Sequence, residues 1–191
     1  MVERMAPVAA RLDEDGSLDA WIFADRSARL PSLTIPELPR WVPENVPTRL
    51  PVRDASPQGR GRKIRRREGL GYGNNEPVVI RDVIDFCRAR PTGRPMLVLF
   101  FSDGGVYENK EISDLLREAS ALPIFWQFVG LGESNYGILE DLDTLPGRVV
   151  DNAGFFAVDD IDSVSDEELY DRLLGEFPQW LRAARAAGVL T

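Results

Sequence analysis

Residues Met96–Phe101 form an uninterrupted apolar run of six residues, MLVLFF. A strand that is apolar at every position has both faces covered, which is typical of a parallel strand packed between layers of helices. The run ends at Ser102-Asp103-Gly104-Gly105, a polar and glycine-rich turn. We therefore expect an inner parallel strand with Asp103 fixed at its carboxyl end.

The rest of the chain alternates between helical and strand patterns. Apolar residues recur at helical spacing in several segments, while others are short apolar runs bounded by turn residues. Such alternation predicts an α/β fold with a mostly parallel sheet. We expect helices over 2–12, 75–90, 109–119, 135–143 and 165–187, the last kinked at Pro178, and strands over 18–24, 96–101, 123–129 and 153–158.

One long segment shows neither pattern. Between residues 31 and 70, prolines recur so often that they interrupt every candidate helix or strand. We expect 31–70 to be an irregular, partly mobile loop within a single domain covering 1–191. A basic cluster at 60–67 lies in this loop, where a solvated loop is a more probable interpretation than a phosphate-binding patch.

Composition excludes several kinds of chemistry. The chain has no histidine and one cysteine, Cys87. Histidine-based catalysis, imidazole-bound zinc and thiolate metal cages are therefore excluded. A metal ion would have to be held by oxygen ligands, which favours magnesium or calcium. The formal net charge is −8 and the second half is strongly acidic, so a nucleic-acid partner is not expected.

Neither a membrane span nor an apolar leader is present in the sequence. Its apolar runs are far shorter than the roughly 18 residues that a span needs, and the first residues lack the apolar stretch of a signal peptide. Together with the single cysteine, this predicts a cytoplasmic protein.

Asp103 is the main candidate for a functional side chain. In open α/β sheets, ligands bind at the carboxyl ends of the strands. Gly104 and Gly105 would let the backbone approach a ligand closely, with Ser102 beside them. The residues alone equally allow Asp103 to be only the cap of the helix that follows.

Two other turns are expected to lie at the same rim. The turn Gly73-Asn74-Asn75-Glu76 precedes a helix and offers oxygen ligands from Asn74, Asn75 and Glu76, although asparagine in turns more often has a local structural role. Glu133 follows another strand end, but its segment could instead cap the short helix at 135–143.

Several segments together resemble the von Willebrand factor A-type (vWA) domains of the tellurium-resistance, TerF-like, family. The matching segments, which cover nearly the whole chain outside 31–70, are ERMAPVAARLDEDGSLDAWIF, GNNEPVVI, VLFFSDGG, ASALPIFWQFVGLG, LDTLPGRVVDNAGFF and DEELYDRLLGEFPQWL. The resemblance implies a Rossmann-like fold with helices on both faces of a mostly parallel sheet. It also implies a metal-ion-dependent adhesion site (MIDAS) at the strand ends.

The resemblance assigns ligands only in part. Asp103 matches the family's aspartate after the central strand. The GNNEP turn occupies the place of a threonine-bearing loop but has no threonine, so Asn74 and Asn75 stand there instead. The family's Asp-x-Ser-x-Ser loop has no counterpart in this sequence. The resemblance therefore implies that the first strand is missing, that a bound Mg²⁺ or Ca²⁺ is held weakly, and that the incomplete sheet promotes self-association.

We therefore expect a non-enzymatic, metal-assisted protein-binding module of a bacterial tellurite or chemical-stress resistance system, with a protein partner from that system. A metal-free interaction scaffold is the main alternative. A magnesium-dependent phosphoryl-transfer enzyme with Asp103 as nucleophile is less favoured, because the residue two positions later, where a second carboxylate would stand, is Gly105.

Overall fold

A computed structural model describes residues 4, 16–46, 70, 71, 73–90 and 93–191. The chain divides into two compact units, Met1–Tyr72 and Gly73–Thr191. Of the helix expected over 2–12, only Arg4 is among the described residues, and it is helical. The basic cluster at 60–67 lies outside the described residues. A single domain over 1–191 stays a prediction.

Short antiparallel strand pairs and one helix make up the described part of the first unit. β1 (Ser17–Leu18) pairs with β4 (Leu33–Thr34), and β2 (Trp21–Phe23) pairs with β3 (Ser27–Arg29). A 3₁₀ turn at Ile35–Glu37 leads into α1 (Leu38–Asn45). These elements bury a small apolar core made of Leu30, Leu33, Leu38 and Trp41.

The prediction of an irregular loop over 31–70 is wrong for residues 33–45, which form β4, the 3₁₀ turn and α1. Two of the prolines are tolerated because Pro36 and Pro39 lie in the first turn of their helices, where a backbone N–H has no intrahelical partner. Pro43 lies inside α1, and the helix continues through it to Asn45. Thr34 supports the start of this segment, since its backbone N–H donates to the Glu37 carboxylate at 3.0 Å.

Helices and parallel strands alternate in the second unit, as expected. In chain order it contains α2 (Glu76–Arg88), β5 (Met96–Ser102), α3 (Asn109–Ala119), β6 (Ile124–Leu131), a 3₁₀ helix (Gly137–Thr144), β7 (Ala153–Val158), a 3₁₀ turn (Ile161–Ser163), α4 (Asp166–Leu174) and α5 (Phe177–Ala186). The α/β fold class is confirmed.

β5, β6 and β7 form one parallel sheet in that order. β6 is its centre: every residue from Ile124 to Gly130 is buried. Phe125 on one face packs against Trp180 of α5, with ring centroids 5.6 Å apart. Trp126 and Phe128 point to the opposite face and are also fully buried. The core therefore lies on both faces of this central strand.

Two details of this unit differ from the sequence-based expectations. β5 was expected to be an inner strand, but among the described residues it pairs with β6 alone and most of its side chains are only half-buried. The last helix was expected to kink at Pro178, but it separates into α4 and α5. Pro178 lies in the first turn of α5, a position that proline suits.

Across the described ranges, no helix has both the length and the apolar character needed to cross a membrane.

Candidate functional site

Asp103 directly follows the last residue of β5, at the carboxyl edge of the parallel sheet. It is exposed, and its carboxylate accepts no hydrogen bond from any residue in the described part of the chain. The helix that follows, α3, begins at Asn109 with Glu108 in the cap position. Asp103 therefore does not cap that helix, and its carboxylate is available to a ligand.

The loop that carries Asp103 is held from both sides. Inside the loop, the backbone N–H of Gly104 donates to the Ser102 hydroxyl at 3.1 Å. From the turn before α2, the Asn74 side-chain amide donates to the Gly104 carbonyl at 2.6 Å. From the loop after β6, the Asn135 carbonyl accepts a hydrogen bond from the Gly105 backbone N–H at 2.9 Å. Three loops thus meet around Asp103.

Gly104 is required where it stands. Its φ is +93°, in the left-handed region that side-chain-bearing residues rarely adopt. A Cβ on Gly104 would lie 1.9 Å from the Ser134 hydroxyl oxygen and 2.3 Å from the Ser134 Cβ. The glycine thus permits the close contact between the Asp103 loop and the loop after β6.

The two asparagines of the Gly73–Glu76 turn have different roles. Asn74 reaches across to the Asp103 loop, so it does more than stabilise its own turn. Its amide nitrogen is used in that contact, which leaves its amide oxygen as the atom that could bind a cation. Asn75 precedes α2 in the cap position, but its side chain makes no capping hydrogen bond.

The loop after β6 is shaped mainly by local contacts. The Asn135 side-chain oxygen accepts from the Gly137 backbone N–H at 2.9 Å, at the start of the 3₁₀ helix. That contact agrees with the helix-capping interpretation for this segment. Glu133 is exposed at the end of β6, and its place at the rim with Asp103 stays a prediction.

Glu76, the first residue of α2, is fully buried at 0% exposure. In the part of the chain that the structure describes, no other residue donates a hydrogen bond to either of its carboxylate oxygens. Burial raises the pKa of Glu76 above its ordinary value, the carboxylates of Glu108 and Asp103 raise it further, and its own backbone amide opposes this shift. A buried carboxylate without a partner is costly, so this side chain calls for a proton or a cation.

The spacing of α2 contains a signal for this burial. Glu76 lies four residues before Ile80 and seven before Val83, on the apolar face of the helix. We had expected it only as a cap or rim residue.

Two tyrosines lie at this edge of the sheet that the sequence did not predict as site residues. Tyr136 is buried, its ring lies against Gly130, and its hydroxyl donates to the Gly132 carbonyl. Burial raises the pKa of Tyr136, and the negative charges of Asp103, Asp159 and Glu140 add to that shift. The strand ends are therefore an acidic environment, which favours a cationic ligand.

Tyr107 lies in the Asp103 loop and is 73% exposed. A Cβ on Gly105 would lie 3.8 Å from the Tyr107 ring, which places the ring close to the loop backbone. Tyrosine is enriched in protein–protein interfaces relative to the rest of the protein surface. The only sequence signal for Tyr107 is its position four residues after Asp103.

Whether these residues fit a divalent cation can be judged from their donor atoms. Asp103 offers an exposed carboxylate and Glu76 offers two oxygens without partners, and hard cations prefer such ligands. Within the described ranges, however, no three acidic or cysteine side chains converge closely enough to hold a metal ion. The described residues therefore offer at most a pair of carboxylates here, and a cation would need the rest of its ligands from water or a partner.

Comparison with known proteins agrees with this architecture. The model of the vWA-TerF-like family, a vWA domain found at the C terminus of TerF, matches residues 1–190. The chain is also 36% identical over 191 residues to the uncharacterized protein YcbR of Bacillus subtilis (strain 168). That match covers all of this chain and 71% of YcbR. The chain belongs to the vWA-TerF-like family.

Proposed function

We propose that this chain is a non-enzymatic protein-binding module of a bacterial tellurite or chemical-stress resistance system. Its family supports the process, because the domain type is associated with tellurium resistance. One structural observation supports binding at the strand ends: Asp103 is exposed, accepts no hydrogen bond from a described residue, and lies on a loop that two other loops hold in place. A fixed, unpaired carboxylate favours ligand binding because little order has to be gained on association.

In this proposal, Mg²⁺ or Ca²⁺ assists binding. Asp103 would hold the ion, with Asn74 and Asn75 as further oxygen donors and Glu76 at the rim beside them. The bound ion would present a positive charge to a carboxylate of the partner protein. Ser102, Gly104, Gly105 and Glu133 would form the surrounding rim, with Tyr107 as an aromatic contact.

Calorimetric titration with Mg²⁺, Mn²⁺ and Ca²⁺ tests the role of the ion. The parent chain should bind at least one ion saturably, and Asp103→Ala should abolish that binding. Asp171→Ala is the matched control, because it removes an exposed aspartate from α4. Binding that survives in Asp103→Ala would contradict the proposed site.

A metal-free scaffold is the second candidate, favoured because no three acidic or cysteine side chains converge among the described residues. The two candidates differ in how partner binding responds to a chelator. Immobilised chain is exposed to a lysate of the source organism with Mg²⁺ or with EDTA. The proposed module should retain a partner only with Mg²⁺ and only with Asp103 intact. Retention of the same partner in EDTA would support the scaffold.

A phosphatase assay tests the proposal that the chain is not an enzyme. The parent chain and Asp103→Ala are compared for hydrolysis of a generic aryl phosphate with Mg²⁺ present. Neither should show turnover above background. Turnover by the parent chain that Asp103→Ala loses would instead support phosphoryl transfer through Asp103.

We also propose that copies of this chain associate through the open edge of β5. Among the described residues, β5 pairs on one side only. An edge with unpaired backbone groups can accept a strand from another molecule.

A further inference from the structure

Glu76, the first residue of α2, is fully buried, which is unusual for a glutamate. It is 0% exposed, and its neighbours on the same face of α2 include Ile80, Val83 and Ile84, all buried. Neither carboxylate oxygen accepts a hydrogen bond from another described residue. The buried side chains of this helix face are otherwise apolar, so Glu76 is the member of the face that packing alone does not explain.

The charged groups that act on Glu76 are carboxylates. The carboxylates that act on it are Asp103, at the end of β5, and Glu108, at the cap of α3. Both are negative. A buried carboxylate beside two others is unfavourable unless it takes up a proton or a positive group lies among them. Arg81 on the same helix pairs with Glu111 at 3.5 Å, so this nearby arginine is engaged elsewhere.

The geometry points to Glu76 as the second protein carboxylate of the cation site. The inference rests on the proposed cation and adds a ligand that the family pattern does not supply. In that pattern the ligands come from the Asp-x-Ser-x-Ser loop, the threonine loop and the aspartate. The turn before α2 has no threonine, and Glu76 supplies a charged oxygen ligand from that turn.

This placement also gives Asn74 a distinct role. Because its amide nitrogen holds the Gly104 carbonyl at 2.6 Å, Asn74 fixes the Asp103 loop over the start of α2. It is a positioning residue that keeps the Asp103 and Glu76 carboxylates near each other. Its contact links the two segments whose charges would otherwise repel.

The test uses the full chain and Mn²⁺, whose electron paramagnetic resonance signal reports the free ion. Glu76→Gln preserves the size of the side chain and removes its charge. Glu167→Gln on α4 is the control, because it removes one exposed negative charge from a different element. We expect Glu76→Gln to weaken Mn²⁺ binding by at least about tenfold and Glu167→Gln to change it less than about twofold.

Thermal unfolding with and without Mn²⁺ gives a second readout. Without metal, Glu76→Gln should melt at or above the temperature of the parent chain, because a buried charge is removed. Mn²⁺ should raise the melting temperature of the parent chain and leave that of Glu76→Gln unchanged. Should Glu76→Gln not fold, Glu76→Asp, which keeps the charge with a shorter reach, should show binding weaker than that of the parent chain.

The outcomes separate this inference from the proposed function. Saturable Mn²⁺ binding that Asp103→Ala loses and Glu76→Gln keeps would overturn the role of Glu76 and leave the Asp103 site intact. The same holds if Glu76→Asp binds Mn²⁺ as tightly as the parent chain. No saturable Mn²⁺ binding by the parent chain would overturn the cation and the role of Glu76 together.

Discussion

At the strand ends, close contacts with neighbouring loops limit which residue type a position can hold. Gly104 must be glycine because of both its backbone angle and the nearness of Ser134. Gly132 also has a positive φ, +80°, but a Cβ there would meet nothing within 4 Å. The two glycines therefore separate the cost of backbone strain from the cost of steric conflict.

Gly104→Ala should destabilise the second unit more than Gly132→Ala. Backbone strain alone costs on the order of 1–2 kcal/mol for an alanine at such an angle, and the overlap with Ser134 should add about 1–3 kcal/mol. Urea denaturation of both variants measures the difference in the free energy of unfolding. Equal losses would show that the contact with Ser134 relaxes at no cost.

Cys87 illustrates how burial controls a reactive group. It lies on the inner face of α2 and is 5% exposed. Burial raises the pKa of its thiol, with a smaller opposing effect from Arg88. The thiol is thus protonated and shielded near neutral pH, and the thiolate is the nucleophilic form.

Labelling with a disulfide reagent such as DTNB at pH 8 should therefore be slow in the folded chain and fast in urea. The same burial has a consequence for stability. The pKa of the Cys87 thiol is higher in the folded chain than in the unfolded chain. The free energy of folding that the protonated thiol contributes is therefore fully present below the pKa of the unfolded chain, and it is lost as the pH rises through the pKa of the folded chain. Rapid labelling of the folded chain at pH 8 would contradict the buried position.

At the scale of elements, sequence patterns predicted the second unit well and the first unit poorly. Helix α3 and strand β7 begin and end where the sequence placed them, because each has a clear period and clear turn residues at its ends. The α1 segment was missed because its prolines were taken as breaks. Pro36 and Pro39 in fact lie in first turns, which spacing alone does not reveal.

The sequence likewise predicted only part of the candidate site. The position of Asp103 followed from the apolar strand before it. The contact between Asn74 and the Gly104 carbonyl joins residues that lie 30 positions apart, so no local pattern encodes it. The exposure of Tyr107 and the missing partners of Glu76 depend on how separate elements pack, and only the structure shows them.

Ser165 is the N-terminal cap of α4. Ser165 precedes the helix and its hydroxyl accepts from the Glu168 backbone N–H at 3.2 Å. Ser165→Ala should lower the free energy of unfolding by about 0.5–2 kcal/mol. Ser165→Asp keeps a side-chain acceptor and should retain most of the stability. Urea denaturation compares them, and a loss in Ser165→Asp equal to that in Ser165→Ala would argue against the cap.

At the scale of the whole molecule, the parallel sheet determines both the site and the exposed edge. The strand order β5–β6–β7 places Asp103 after β5, which pairs on one side only among the described residues. The backbone N–H of Met96 donates to the Pro123 carbonyl. In a parallel ladder alternate residues bond to the same neighbour, so Val98 faces β6 and Leu99 faces the open side.

Two proline substitutions test self-association through this edge. The parent chain should show a concentration-dependent molar mass by light scattering after gel filtration. Leu99→Pro should reduce that association, because proline blocks the open side and leaves the ladder with β6 intact. Val98→Pro should remove a hydrogen bond of the ladder with β6 and lower the free energy of unfolding. A parent chain that is monomeric at every concentration would contradict this proposal.

The most direct test of the strand-end site is a crystal structure of the full chain grown with Mn²⁺ and measured near the manganese absorption edge. We expect an anomalous peak at the carboxyl edge of the sheet, roughly 2.0–2.6 Å from an Asp103 oxygen, the range of oxygen ligands to hard cations, with the Glu76 carboxylate turned toward the peak. A well-ordered Asp103 with no peak beside it, at saturating Mn²⁺, would contradict a cation site at these strand ends.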